Sequence, residues 1–221
     1  DGIDLAGLLE LQKSMVENST DRALVFERET WTFDDMGGAV ALKDEIKDLQ
    51  AGPQPARLFV RIDEIDKEVT SASTGKVADN TGASQYALKM MLTTMEEFAI
   101  SGYLFTGGPG TGKSLATICA GNTFGVRTLV FDIGSTKASL LGESERKIRS
   151  VMDVIKTIGG KGGVVFFATA NRLDTLPAEF QARFNLGTYY FDRPDEKERT
   201  AILKIQAKRY GIDMAKQKAP N

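Results

Sequence analysis

The chain has 221 residues, a net charge of −2 and a pI near 5.4, so it lacks the basic surface that tight nucleic-acid binding requires. It has one cysteine, Cys119, and no histidine, which excludes an internal disulfide, a Ser-His-Asp triad and a histidine-ligated metal. No apolar run approaches the roughly 18 residues of a membrane span, and no signal peptide opens the chain. We therefore expect a soluble cytoplasmic protein.

Hydrophobic periodicity predicts alternating helices and strands. Apolar residues at helical spacing predict helices over 4–17, 39–50, 84–98, 113–122, 142–158 and 195–210. Short apolar runs predict strands over 57–63, 102–106, 127–133, 164–170 and 187–194. The stretch 23–38, which ends at Gly37-Gly38, reads as extended or irregular, and the polar stretch 70–84 reads as a mobile loop. Strands that alternate with helices indicate a parallel sheet built from βα units.

The segment 107–114, GGPGTGKS, matches the phosphate-loop pattern G-x-x-x-x-G-K-[ST]. A glycine-rich turn can match by chance, but this one follows an apolar strand and precedes a helix, as a phosphate loop does. Glycines let backbone N–H groups turn toward phosphates, and the helix start adds a positive dipole end. Lys113 should reach the β- and γ-phosphates, and the Ser114 hydroxyl should ligate Mg²⁺. The expected nucleotide contacts are Gly108, Pro109, Gly110, Thr111, Gly112, Lys113, Ser114 and Leu115.

Two adjacent carboxylates, Asp63 and Glu64, end the apolar strand of LFVRIDEID. Neighbouring strand residues point to opposite faces, so the two should have different roles. Asp63 can hold the Mg²⁺ shell, and Glu64 can orient and deprotonate an attacking water. The alternative is an exposed acidic strand end, which the nearby phosphate loop makes less favoured. Arg61 shares the Asp63 face and pairs either with Asp63 or with a phosphate.

Together these motifs resemble the AAA family of AAA+ P-loop ATPases over residues 31–210. Four further segments carry the resemblance: FDDMGGAVALKDEI, LLGESERKIR, ATANRLDTLPAEFQARF and FDRPDEKERTAIL. The resemblance implies ATP and Mg²⁺ as cofactors, usually a hexameric ring, and the use of ATP hydrolysis to remodel or unfold a protein substrate.

The resemblance also implies roles for individual residues. The backbone around Met36 and Gly37 would cradle adenine. Asn171 would be a polar sensor that positions the lytic water, although it could simply cap a turn. Arg183 would be an arginine finger that reaches a neighbour's ATP, although it could be an ordinary surface arginine.

Two positions depart from the family pattern. Phe180 stands where the family usually has a second arginine. Leu140, Leu141 and Gly142 replace the usual aromatic-apolar-glycine grip on a polypeptide substrate, so this loop either presses on a substrate with less stacking area or simply packs.

The order of the segments is unusual, because the family places the acidic strand after the helix found here at 142–158. Here that strand precedes the phosphate loop, as if two blocks had changed places. Linker-like AGPQPA and GGKGG lie at two of the joints, and EEFAISGYL at the third. We predict a P-loop NTPase three-layer α/β/α sandwich whose five-stranded parallel sheet keeps the order 5-1-4-3-2 in the family's strand names.

The predicted organisation is an N-terminal helical and extended segment (1–30), a large α/β nucleotide-binding domain (31–194) and the first helix of a truncated lid with a tail (195–221). A shortened lid is expected to weaken nucleotide affinity and ring assembly. The favoured function is Mg²⁺-dependent ATP hydrolysis coupled to protein remodelling. The alternatives are a nucleotide-binding module with little turnover and, against the acidic composition, a nucleic-acid motor or loader.

Overall fold

The structure is a computed structural model and describes residues 5–74, 83–137 and 141–212. Its strands are β1 (Leu24–Phe26), β2 (Leu58–Ile62), β3 (Ser101–Thr106), β4 (Arg127–Phe131), β5 (Val164–Ala170) and β6 (Gly187–Tyr190). Its α-helices are α1 (Leu5–Ser19), α2 (Val40–Ala51), α3 (Ile65–Thr74), α4 (Ala83–Glu97), α5 (Lys113–Phe124), α6 (Leu141–Gly159), α7 (Ala178–Gln181) and α8 (Glu196–Arg209). Short 3₁₀ turns cover Phe33–Asp35, Gly134–Thr136 and Leu173–Thr175.

The six strands form one sheet in the order β1-β4-β2-β5-β3-β6. All neighbours are parallel except β1, which runs antiparallel to β4 at the edge. Read from β6, the five parallel strands follow the predicted order 5-1-4-3-2. The sixth strand was not predicted, because three residues are too few for a periodic signal. It lies within the segment 1–30, so the sheet extends beyond the range predicted for the α/β domain.

Alternate residues of each strand face opposite layers, which gives the sheet a helix-covered core on both sides. Val60 and Phe166 belong to the larger cluster, which also contains residues from α1, α3, α4 and α6. Phe59 and Phe167 belong to a second cluster with residues from α2 and α5. The molecule is therefore the expected α/β/α sandwich. Among the described residues, no helix combines the length and apolar character needed to cross a membrane.

All three rearranged joints lie at the same edge of the sheet. They lead into β2, β3 and β5, which are neighbours in the order β2-β5-β3. Gly163 O accepts from the backbone N–H groups of Arg57 and Leu58 at 2.8 and 3.1 Å, and the Gly162 N–H donates to Phe98 O at 2.9 Å. Because the joints meet at the amino-terminal ends of adjacent strands, exchanging them leaves the opposite edge unchanged.

Both ends of one predicted loop are helical. The polar stretch 70–84 begins inside α3 and ends inside α4, and its residues 75–82 lie outside the described part of the chain. Helix α3 forms because Ile65 and Val69, one helical turn apart, are buried in the larger cluster. This packing outweighs the serine and threonine content that suggested a loop.

Replacing Gly163 by alanine should destabilise the protein by about 1–3 kcal/mol, because a Cβ there would overlap the Gly159 carbonyl and the Arg57 side chain. Chemical denaturation monitored by circular dichroism measures this loss. Gly142→Ala is the matched control, since a Cβ at Gly142 meets nothing within 4 Å. Equal stabilities for the two variants would show that the joint is not tightly packed.

Candidate functional site

The glycine-rich loop connects β3 to α5 at the carboxyl edge of the sheet. Gly107 has φ +136°, and a Cβ there would overlap the Phe191 carbonyl, so the loop requires glycine at this position. Gly112 also has a positive φ, +96°, and serves as the N-cap of α5. Gly108, Pro109 and Gly110 form the exposed outer turn. The loop thus presents backbone at the start of a helix, which is the geometry that binds phosphate.

The Lys113 ammonium lies inside this loop and is buried. Its Nζ donates to the carbonyls of Gly107 and Gly108, each at 2.7 Å, and to Asn171 Oδ1 at 3.1 Å. Burial lowers the pKa of Lys113, while the nearby carboxylates of Asp66, Glu64 and Asp63 oppose that shift. The loop therefore holds a cation ready for an anionic ligand.

Asp63 and Ser114 meet directly, although 51 residues separate them in the chain. The Ser114 hydroxyl donates to Asp63 Oδ1 at 2.7 Å, and the Thr169 hydroxyl donates to the same oxygen at 3.2 Å. A carboxylate and a hydroxyl are hard oxygen ligands of the kind that Mg²⁺ prefers. No group of three acidic, histidine or cysteine side chains forms a metal site in the described ranges, and Mg²⁺ bound with a nucleotide does not need one, because phosphates and waters complete its shell.

Glu64 lies just beyond β2 in a left-handed conformation, with φ +52°. Its backbone N–H donates to the Thr169 hydroxyl at 2.9 Å, and its carboxylate pairs with Lys67 at 2.5 Å. Hydrogen bonds from Lys67 and, more weakly, Asn171 lower the pKa of Glu64. The side chain is therefore a carboxylate at neutral pH, half exposed and close to Asn171.

These residues come from three neighbouring strands, β2, β5 and β3, whose carboxyl ends lie side by side. Asp63 and Glu64 follow β2, Asn171 follows β5, and the glycine-rich loop follows β3. Such an edge is where parallel α/β sheets bind their ligands. The predicted site residues from separate parts of the chain thus converge, despite the altered segment order.

A cavity of about 450 Å³ lies beside the glycine-rich loop. Its wall includes Met36, Gly37, Gly110, Thr111, Gly112 and Leu115. Helix α8 closes one side, and Ile202 packs so closely on Gly37 that a Cβ at that glycine would overlap it. The Arg209 guanidinium lies 3.5 Å from the centre of the Trp31 ring, which adds a second contact between α8 and the segment before α2. The cavity is large enough for a base and ribose.

Arg183 lies away from this convergence. Its Nη2 is 2.8 Å from Glu96 Oε2, and its side chain is 40% exposed. Phe180, at the position where the resemblance leads one to expect an arginine, is buried against Phe184 with ring centroids 5.2 Å apart. Of the predicted substrate grip, Leu140 and the side chain of Leu141 lie outside the described residues, and Gly142 is exposed in the first turn of α6.

Thr169 was not among the site residues predicted from the sequence. Its hydroxyl links Asp63 to the Glu64 backbone, yet in the sequence it is one polar residue inside an apolar strand. The sequence feature that could have identified Thr169 is its position at the carboxyl end of that strand, two residues before Asn171. The sequence allowed either Asp63 or a phosphate as the partner of Arg61. In the structure, Arg61 pairs with Asp63 at 3.5 Å and with Glu27 at 3.0 Å.

A parallel sheet with a glycine-rich loop, a buried loop lysine, a serine–aspartate pair and a polar residue on the intervening strand defines a P-loop NTPase. Comparison with known proteins gives a family match over part of the chain. Residues 103–161 match the family described as "ATPase family associated with various cellular activities (AAA)". This match supports an AAA-family ATPase core and, in general terms, ATP binding and ATPase activity.

The curated relatives that match the chain are distant. The chain is similar to the uncharacterized AAA domain-containing protein ycf46 of Guillardia theta, with 27% identity over 157 residues, or 52% of this chain and 31% of that protein. It is similar to the protein of the same name from Trieres chinensis, with 27% identity over 149 residues, or 49% of this chain and 30% of that protein. The chain thus matches less than a third of the length of these relatives.

Proposed function

We propose that this chain binds ATP with Mg²⁺ in the cavity beside the glycine-rich loop and hydrolyses it. One observation carries the proposal. Lys113 donates to Asn171 at 3.1 Å, and the neighbouring Ser114 donates to Asp63 at 2.7 Å. These hydrogen bonds bring together residues from three separate segments of the chain. No structural role requires a buried lysine, a hydroxyl and a carboxylate to face one glycine-rich loop.

Each residue has a defined task in this proposal. The Lys113 ammonium exchanges its loop carbonyls for the β- and γ-phosphate oxygens. Ser114 and Asp63 would hold Mg²⁺, which when bound supplies positive charge to the phosphates. Glu64 accepts the proton of the attacking water, and Asn171, within hydrogen-bond reach of Lys113 and Glu64, orients that water. The walls near Met36 and Gly37 would take up the adenine.

The basic test is phosphate release from ATP at saturating Mg²⁺, compared with release in excess EDTA, on protein whose size is measured in parallel by light scattering. Mg²⁺-dependent release supports the proposal. If ATP binds and no phosphate appears even in concentrated protein, the chain is a nucleotide-binding module. The bond between Arg183 and Glu96 of the same chain favours this second candidate, because it holds the only arginine proposed for a neighbour's site.

We further propose that the chain self-associates, forming the hexameric ring typical of the family, and remodels a protein substrate, gripped through the segment at Leu140, Leu141 and Gly142. The support is the resemblance of residues 140–149 to the family's substrate loop. A nucleic-acid motor is the less favoured alternative, given the net charge of −2. Filter binding of labelled single- and double-stranded DNA discriminates between the two kinds of substrate.

Arg183 gives a prediction for assembly. If it completes a neighbour's site, Arg183→Ala should lower hydrolysis at least about tenfold, and mixing this variant with Glu64→Gln subunits should restore part of the activity. The Glu64→Gln subunits supply the arginine that the Arg183→Ala subunits lack.

Glu96→Gln is the matched control, because it breaks the same ion pair and keeps the arginine. Its activity should match or exceed that of the parent. If Arg183→Ala and Glu96→Gln lose activity equally, Arg183 acts through its ion pair with Glu96. If mixing restores nothing, Arg183 does not complete a neighbour's site.

A further inference from the structure

Arg61 places a positive charge inside the central strand β2. Its side chain is only 13% exposed, and its strand neighbours in register are Val130 on β4 and Phe167 on β5. A guanidinium in such surroundings needs anionic partners, because leaving it unpaired away from water is costly. The identity of those partners therefore shows what the residue does.

The two partners come from different parts of the chain. Arg61 Nη2 lies 3.0 Å from Glu27 Oε2, and Arg61 Nε lies 3.5 Å from Asp63 Oδ2. Glu27, which is 9% exposed, follows the edge strand β1, so its side chain reaches toward β2 past the intervening strand β4. A continuous row of charges, Glu27–Arg61–Asp63, thus runs from the edge strand to the proposed metal ligand.

The two oxygens of Asp63 have different surroundings. Oδ1 accepts from Ser114 and Thr169, whereas Oδ2 faces Arg61. A cation at this distance competes with Mg²⁺ for the same carboxylate. Glu27 Oε2 and Arg61 Nε make no hydrogen bond in either contact, so the pairing is one of charge, and the shorter distance makes Glu27 the stronger attraction for the guanidinium.

We propose that Glu27 and Arg61 are positioning residues that set the Mg²⁺ affinity of the nucleotide site: Glu27 holds the guanidinium back, so that Asp63 stays available to Mg²⁺. This inference rests on the proposed function, which makes Asp63 a metal ligand. It also gives the N-terminal segment a role at the site, because the residue that follows β1 controls the charge beside Asp63.

Glu27→Gln is the principal test. Glutamine keeps an oxygen that can accept from the backbone N–H groups of Arg28 and Glu29, as Glu27 Oε1 does at 2.9 and 3.1 Å, so the local chain should be preserved. Arg61 loses its nearer anionic partner and turns to Asp63. The Mg²⁺ concentration that gives half of the increase in ADP affinity should rise about five- to tenfold. The ADP affinity in EDTA should stay unchanged.

Calorimetric titration with ADP over a series of MgCl₂ concentrations measures both quantities without any turnover. Arg61→Met should lower the Mg²⁺ requirement below that of the parent, because the competing cation is gone and Glu27 remains. In the double variant Glu27→Gln/Arg61→Met, the glutamine should no longer raise the Mg²⁺ concentration that gives half of the increase in ADP affinity. Exposed Glu29→Gln is the control for a charge lost nearby, and thermal melts verify that each variant folds.

The inference is overturned if Glu27→Gln leaves the Mg²⁺ requirement unchanged, or raises it equally in the Arg61→Met background. It is also overturned if Arg61→Met raises the requirement. A parent protein whose ADP affinity does not respond to Mg²⁺ at all would overturn the proposed metal site itself, and the inference with it. Failure of the inference alone therefore leaves the parent's response to Mg²⁺ intact.

Discussion

Replacing Glu64 by glutamine should reduce ATP hydrolysis by about 10²–10⁴-fold while ATP binding persists. Glutamine has the same shape but cannot accept the proton of the attacking water. The Glu64 carboxylate is half exposed and, apart from its ion pair with Lys67, is available to a water beside a bound nucleotide. Phosphate release and calorimetric ATP binding on the same preparation measure the two effects separately.

This substitution also breaks the ion pair between Glu64 and Lys67. Lys67→Met is the matched control, because it breaks the same pair and keeps the carboxylate. It should retain hydrolysis within a few-fold of the parent. Hydrolysis by Glu64→Gln at the parental rate would refute the assignment of Glu64 as the base. A loss of equal size in Lys67→Met would assign the effect to the ion pair.

Replacing Lys113 by alanine should weaken ATP binding about a hundredfold and abolish hydrolysis with it. The ammonium is buried, touches three acceptors within 3.1 Å and is the cation placed deepest in the glycine-rich loop. Removing it leaves the phosphates without their charge-assisted hydrogen bonds, which are the strong ones. Calorimetry with ATP measures the loss of affinity.

The variant must first be shown to fold, since two loop carbonyls lose their donor. The midpoint temperature of its thermal unfolding without nucleotide should lie close to that of the parent. Only the increase in this temperature on adding ATP should disappear. Lys89→Ala, on helix α4, is the control for loss of a lysine elsewhere. An ATP affinity of Lys113→Ala within threefold of the parent would contradict the phosphate-loop assignment.

Local patterns in the sequence were sufficient to predict the glycine-rich loop, the acidic pair and the five parallel strands. The loop has a fixed spacing, and the strands are apolar runs such as Val164–Ala170, which is buried throughout. The order of those strands was predicted despite the altered chain order. The predicted strand order is correct because the exchanged joints lie together at the amino-terminal edge of the sheet, away from the site.

What the sequence did not predict depends on contacts between distant residues. Strand β1 has three residues and exists through its pairing with β4. Helix α3 is polar in its second half and is held by burial of Ile65 and Val69. The roles of Thr169 and Glu27 can be inferred only from their contacts in the structure, since neither residue belongs to a sequence motif. Long-range packing and charge pairing therefore account for these omissions.

We propose that an acidic strand placed before the phosphate loop still completes a working ATP site. The most direct measurement is Mg²⁺-dependent phosphate release by the parent protein over a range of protein concentrations, with Lys113→Ala as the background. We predict release well above that background, abolished by EDTA, and a specific activity that rises with concentration as subunits associate. ATP binding with phosphate release no higher than that of Lys113→Ala at every concentration would contradict the claim.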